Sequence, residues 1–127
     1  MQFLGWIDGK MKDSVMRECY AVVLPSIWPE NDPVIKYEAA FYGKVILASN
    51  VGGIAEFVKD GETGFLVPPK DSVALSNKII YALSNPVVIE MIGKNLVKKC
   101  KTYKLDKYID KLETLYGELL LQPKAQG

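Results

Sequence analysis

The chain has no histidine among its 127 residues. Without an imidazole there is no Ser-His-Asp triad and no Cys-His pair, and most zinc sites are excluded as well. A metal could still be held by carboxylates alone, but no acidic cluster here has suitable spacing. Cysteine is scarce. Cys19 and Cys100 are the only two, with no Cys-x-x-Cys spacing, and they read as reduced, buried thiols of a cytoplasmic protein. No apolar run approaches the ~20 residues of a membrane span, and the first residues carry no signal-peptide pattern. An excess of one charge is missing too. A net charge of +1 suggests neither nucleic acid nor an acidic membrane as a partner. No Gly-x-Gly-x-x-Gly follows any candidate strand, so a dinucleotide oxidoreductase lacks support.

What remains is a globular composition, 49% hydrophobic and 24% charged, long enough for one domain with one core. Met1 to Leu4 is a short apolar run that suits a strand. Asp13 to Glu18 suits part of a helix, with Met11, Val15, Met16 and Cys19 inward. Tyr20 to Leu24, Lys44 to Ala48 and Phe65 to Val67 read as strands, the last stopped by Pro68 and Pro69. Ser49 to Gly53 reads as a loop and Ile54 to Val58 as a short helix. Strands alternating with helices predict an α/β domain, a Rossmann-like parallel sheet with right-handed crossovers. From Asp71 onward the pattern is helical only. Asp71 or Ser72 caps a helix through Leu83, with Val73, Leu75, Ile79 and Leu83 available for burial. Asn85-Pro86 breaks it. A second helix runs roughly from Val88 to Lys101 and a third from Leu105 to Leu121. In the third, Leu105, Tyr108, Ile109, Leu112, Leu115, Tyr116 and Leu119 form one apolar stripe. Residues 1–121 form the domain and 122–127 a frayed tail.

The other segments are organised around the stretch from Pro25 to Gly43. It leaves the strand through a proline-marked loop. Asp32 suits an N-cap, Pro33 the first helical position, and Gly43 the position just past the C-terminus. Glu30 falls in the loop before the cap and Glu38 in the second helical turn, about 8 Å along the axis from the first. Between them lies a helix N-terminus, with free N–H groups and the positive end of the dipole, suited to phosphate. A ligand with hydroxyls at both ends and phosphates between matches this layout, and a nucleotide-sugar is such a ligand. Two solvated surface acids would be the ordinary reading of Glu30 and Glu38 taken alone.

The flanking residues decide between these readings. Glu30 and Glu38, with seven residues between them, are followed by Ala39-Ala40 and Gly43. Next come Ala48-Ser49-Asn50-Val51-Gly52-Gly53-Ile54-Ala55-Glu56 and Asp60-Gly61-Glu62-Thr63-Gly64-Phe65-Leu66-Val67. In that order, these stretches resemble the Glu-x7-Glu motif and the two following signatures of retaining glycosyltransferases of the GT-B fold, the large family-4 group. The resemblance runs from about Phe3 to Leu83. It implies the later part of the second, donor-binding half of such an enzyme, transferring a hexose-like sugar from a nucleoside diphosphate to a lipid or glycan acceptor. It assigns the ribose hydroxyls to Glu38. Glu30, as the catalytic carboxylate, and the backbone of Asn31, Asp32, Pro33, Val34 and Ile35 take the sugar and the diphosphate. No metal and no other cofactor is implied.

Where many relatives carry Phe-Gly after the first glutamate, this chain has Asn31-Asp32. As a cap, Asp32 would compete with the phosphates for the same N–H groups. Gly52 and Gly53 either let backbone approach the ligand or make a tight turn, and Gly61 and Gly64 read as structural. Trp28 reads as packing on the domain rather than stacking on a ligand ring. Lys94, Lys98, Lys99, Lys101, Lys104 and Lys107 read as a solvated helix face rather than a contact with an anionic membrane.

The acceptor half and the family's upstream Arg/Lys pair are missing from this sequence. The expected behaviour is therefore a fragment or split half, inactive alone, whose last helix covers a missing partner or self-associates. The full enzyme would be cytoplasmic, peripheral to the membrane at most. The alternative from another class is a non-catalytic nucleotide-sugar-binding or interaction module.

Overall fold

A computed structural model describes residues 2–102 and 105–121, with the side chains of 109, 110 and 112–118 described in the last helix. The elements are α1 Gly9–Glu18, β1 Ala21–Leu24, α2 Ile35–Phe41, β2 Val45–Ser49, α3 Gly52–Phe57, β3 Phe65–Val67, α4 Ser72–Ser84, α5 Pro86–Cys100 and α6 Leu105–Leu121. The three strands pair in parallel in the order β1-β2-β3. Ala21 stands opposite Val45, and Leu47 opposite Phe65. The chain is thus an α/β, Rossmann-like fragment, as the alternation of strand and helix predicts.

β2 is the axis of the core. All five of its residues are buried, and successive side chains point to opposite faces of the sheet. Ile46 and Ala48 pack with Met16 of α1, Ala39 and Ala40 of α2, Ile54 and Phe57 of α3, and Leu96 of α5. Val45 and Leu47 pack with Phe65, Ala82 of α4, and Ile89 and Ile92 of α5. Helices therefore cover both faces, which is why β2 is continuously apolar rather than alternating. Burying Ile46 or Leu47 alone is worth about 1.5–3 kcal/mol.

Capping explains several boundaries. Asp71 accepts a hydrogen bond from the Ala74 N–H at 2.8 Å and so caps α4 as expected. Gly43, at φ +64°, ends α2. Its N–H reaches the Ala40 carbonyl and that of Lys44 reaches Ala39, the paired bonds of a Schellman motif. α5 begins at Pro86 itself, where the missing N–H costs nothing.

Other expectations fail. Residues 2–4 form no strand, and Phe3 is 85% exposed. An apolar run becomes a strand only against a neighbouring strand, and among the described residues none lies beyond β1. Met11 is exposed, as are Val73 and Leu83. α4 buries the narrower set Leu75, Ile79 and Ala82 against the sheet. α1, Gly9–Glu18, contains the expected segment, whereas α3 starts earlier than expected, at Gly52. Cys19 and Cys100 are free thiols, only partly buried. Ile109, Leu115 and Tyr116 on the α6 stripe are exposed. Leu105, Tyr108 and Leu119 of that stripe, Lys104, Lys107 and the tail 122–127 lie outside the described residues or side chains. Among the described residues, no helix is long and apolar enough to cross a membrane.

Candidate functional site

Three parallel strands end along one edge of the sheet, and ligands of open parallel sheets bind beyond such an edge. A hollow of about 160 Å³ lies there, walled by Pro25, Ile27, Ser49, Val67 and Leu75. The loop after β1 and the start of α3 meet beside it.

That meeting is very close. The Gly53 N–H donates to the Glu30 carbonyl at 2.8 Å. A Cβ built on Gly53 would lie 1.7 Å from the Asn31 carbonyl oxygen. One on Gly52, which has φ +47°, would lie 2.5 Å from that of Glu30. The two glycines thus admit the chain's own backbone, and they belong to the first turn of α3 rather than to a loop. The Gly53 carbonyl is held as well, by the Lys36 Nζ at 2.9 Å. Lys36 is 3% exposed. Its ammonium lies 4.9 Å from the centroid of the Phe57 ring, a cation–π geometry, and it pairs with Asp32 at 2.6 Å.

This pairing overturns the expected cap. Asp32 makes no capping bond. Val34 occupies the cap position in helical conformation, with no side-chain bond. Instead the Lys36 ammonium, with the Tyr37 hydroxyl donating at 3.1 Å, holds the Asp32 carboxyl below the usual carboxylate range. The physical reason is that a lysine buried four residues on attracts the carboxylate more strongly than neutral amides do. The expected competition between Asp32 and phosphate for the same N–H groups therefore does not arise. Lys36 and Tyr37 donate their N–H groups back to Pro33 and Val34. Among the described residues, those of Val34 and Ile35 have no partner.

The two glutamates flank this helix start. Glu30 is partly buried, and the Ser26 hydroxyl donates to its Oε1 at 2.5 Å. Because α2 begins at Ile35, Glu38 lies in the first helical turn, not the second. Its Oε1 accepts from Lys12 Nζ of α1 at 2.5 Å. Gly64 is buried against the Ile46 carbonyl of β2, in keeping with a structural role. Trp28 is 61% exposed, so it does not pack away on the domain. Lys94, Lys98 and Lys101 are exposed, as expected of a solvated face, but Lys99 is partly buried and donates to the Phe57 carbonyl. Among the described residues no cluster of three or more Cys, Asp or Glu could hold a metal ion.

Sequence reasoning missed Lys36 and Lys12. The signal for Lys36 was present: it shares a helix face with Ala39 and Ala40, three and four residues on, and both are fully buried. No local pattern pointed to Lys12, whose partner is remote in sequence.

Solved structures that the chain resembles include glycosyltransferases. The chain is 33% identical over 90 residues to phosphatidyl-myo-inositol mannosyltransferase of Mycobacterium leprae, covering 71% of this chain and 24% of that protein. It superposes on HepE of Anabaena, solved with UDP and glucose, with a TM-score of 0.81 and 27% identity, covering 91% of this chain and 32% of that one. It also superposes on the C-terminal domain of the glycosyl transferase group 1 protein LpcC of Francisella tularensis, with a TM-score of 0.72 and 28% identity, covering 81% and 53% respectively. The chain spans about a quarter of the length of the curated relatives it matches. Residues 1–107 match the family model "Glycosyl transferases group 1", and the chain belongs to that family.

Proposed function

We propose that this chain is the donor-binding portion of a retaining, metal-independent glycosyltransferase. The whole enzyme moves a hexose-like sugar from a nucleoside diphosphate to a lipid or glycan acceptor in the cytoplasm. One observation carries the reading. Glu30 and Glu38, each partly buried and each with one carboxylate oxygen held by another side chain, come in the chain before and after Val34 and Ile35, whose N–H groups have no partner among the described residues. Glu38 takes the ribose hydroxyls and Glu30 the sugar. The Val34 and Ile35 N–H groups take the diphosphate, backed by Asn31 and Pro33. Gly52 and Gly53 hold the loop in place beneath the ligand. Asp32 contributes its backbone only, its carboxylate being engaged by Lys36. The solved complexes of HepE with UDP-glucose, and with UDP and glucose, support a nucleotide-sugar as the ligand.

The acceptor half lies outside this chain, so turnover requires it, while donor binding does not. Calorimetric titration with UDP- and GDP-sugars, run beside Glu38→Ala, tests the reading. We expect binding to one base series and a loss of about tenfold or more in the variant, since a group left without its hydrogen-bonded partner loses about 1.4 kcal/mol or more. Equal affinities of the two proteins would remove Glu38 from the site. Sugar transfer by this chain alone would overturn the assignment of catalysis to the two halves together.

A further inference from the structure

Glu38 does not stand alone on α2. Lys12 reaches it from α1, 26 residues earlier, at 2.5 Å. The two side chains are 42% and 28% exposed, so the pair is partly withdrawn from water. The two helices are also joined without it. Tyr42 donates to Asp13, and Arg17 bonds the same carboxylate at 2.8 and 3.1 Å. Arg17 also lies 5.4 Å from the centroid of the Tyr42 ring. Met16 is buried in the same core cluster as Ala39 and Ala40. The Lys12 contact is therefore not needed to fasten α1 to α2, and it falls on the carboxylate assigned above to ribose.

A vicinal diol offers two O–H donors, and a carboxylate meets both only when its plane is set correctly. The terminal torsion of glutamate is broad, so a free Glu38 would have to be ordered on binding. Lysine brings three N–H donors and no acceptor. Its single contact on Oε1 leaves Oε2 and the second lone pair of Oε1 to accept the ligand's hydroxyls. Among the described residues Oε2 has no partner.

We propose that Lys12 is a positioning residue for nucleotide recognition, fixing the Glu38 carboxylate so that Oε2 and the free lone pair of Oε1 receive the 2′- and 3′-hydroxyls of the ribose. This rests on the assignment of Glu38 made under the proposed function. Lys12 touches no reacting atom. Its effect is to order the carboxylate before the ligand arrives.

The test is calorimetric titration of the full chain, Lys12→Met and Lys12→Arg with UDP, GDP and the 2′,3′-dideoxy form of whichever binds. Methionine keeps the aliphatic stem and removes the donor. We expect Lys12→Met to weaken binding of the ribonucleotide by about five- to tenfold, the cost of ordering one side chain, and to leave the dideoxy nucleotide unchanged. Lys12→Arg should recover most of the loss, and both variants should melt near the parent chain. Equal weakening toward both nucleotides would place Lys12 on the phosphates or in the fold and overturn the proposal. If Glu38→Ala abolishes the preference for ribose and Lys12→Met does not, the ribose assignment stands and this inference alone falls. If the parent chain binds neither nucleotide, the assignment of Glu38 falls and this inference with it.

Discussion

The connections leaving β1 and β2 are built on opposite plans. The first runs from Pro25 to Val34, with Ile27 and Trp28 exposed and no regular structure of its own. The second is only Asn50 and Val51 before α3 begins. The long connection carries most of the groups assigned to the ligand, but its backbone is polar, largely solvent-facing and costly to order. The short one carries almost no chemistry and supplies the surface. Gly52 and Gly53 bring α3 against the Pro29–Asn31 backbone, and Lys36 ties Gly53 to the start of α2. The comparison teaches a division of labour. A binding loop need not be rigid by its own sequence if a neighbouring turn presents bare backbone for it to lean on.

The sharpest way to break this arrangement is Gly53→Ala. Its Cβ would fall 1.7 Å from the Asn31 carbonyl oxygen, a clash of the new carbon with backbone that no rotamer relieves. We expect a loss of about 3 kcal/mol in urea denaturation together with loss of nucleotide binding. Wild-type stability in the variant would mean that the loop is not held there. A smaller effect separates the loop's own contacts from those the turn provides. Ser26→Ala removes the hydroxyl donating to Glu30 and should cost about 0.5–1.5 kcal/mol. Titration should show donor-sugar affinity falling while affinity for the nucleoside diphosphate without sugar holds.

The smallest effect is on pH. The Asp32 carboxyl is lowered by Lys36, so the folded state releases its proton more readily than the unfolded state does. Its contribution to stability is present above the ordinary carboxylate range, near pH 4, and is lost as pH falls through the folded value. Asp13, lowered by Arg17 and then Tyr42, has the same sign. Asp32→Asn should therefore flatten, without abolishing, the acid limb of a stability-versus-pH curve. An unchanged limb would show that the pairing with Lys36 contributes nothing in solution.

Most of the fold was legible because its signals are local. The apolar run of β2, the prolines after Val67, the Asp71 cap and the helix from Leu105 to Leu121 each follow from a few neighbouring residues. The positions of Glu30 and Glu38 around a helix start were legible for the same reason. What was not legible depends on remote contacts. Asp32 suits a cap by every local rule, and it fails because the burial of Lys36 places an ammonium beside it. Phe3 and Leu4 suit a strand, and they fail because pairing needs a second chain segment at the edge of β1. Lys12 meets Glu38 only once α1 has packed on α2.

The order of the sheet has a further consequence, for the time course of folding. Each strand pairs with its successor in the chain, β1 with β2 and then β2 with β3, and each pairing closes a single crossover. Parallel sheets fold slowly when distant strands must find one another. Here every search is short, and β2 can serve as the template for both neighbours in turn. The hydrophobic layers should therefore assemble before the loop from Pro25 to Val34 settles on Gly52 and Gly53, which makes the groups proposed to bind the ligand the last part of the domain to acquire their native arrangement.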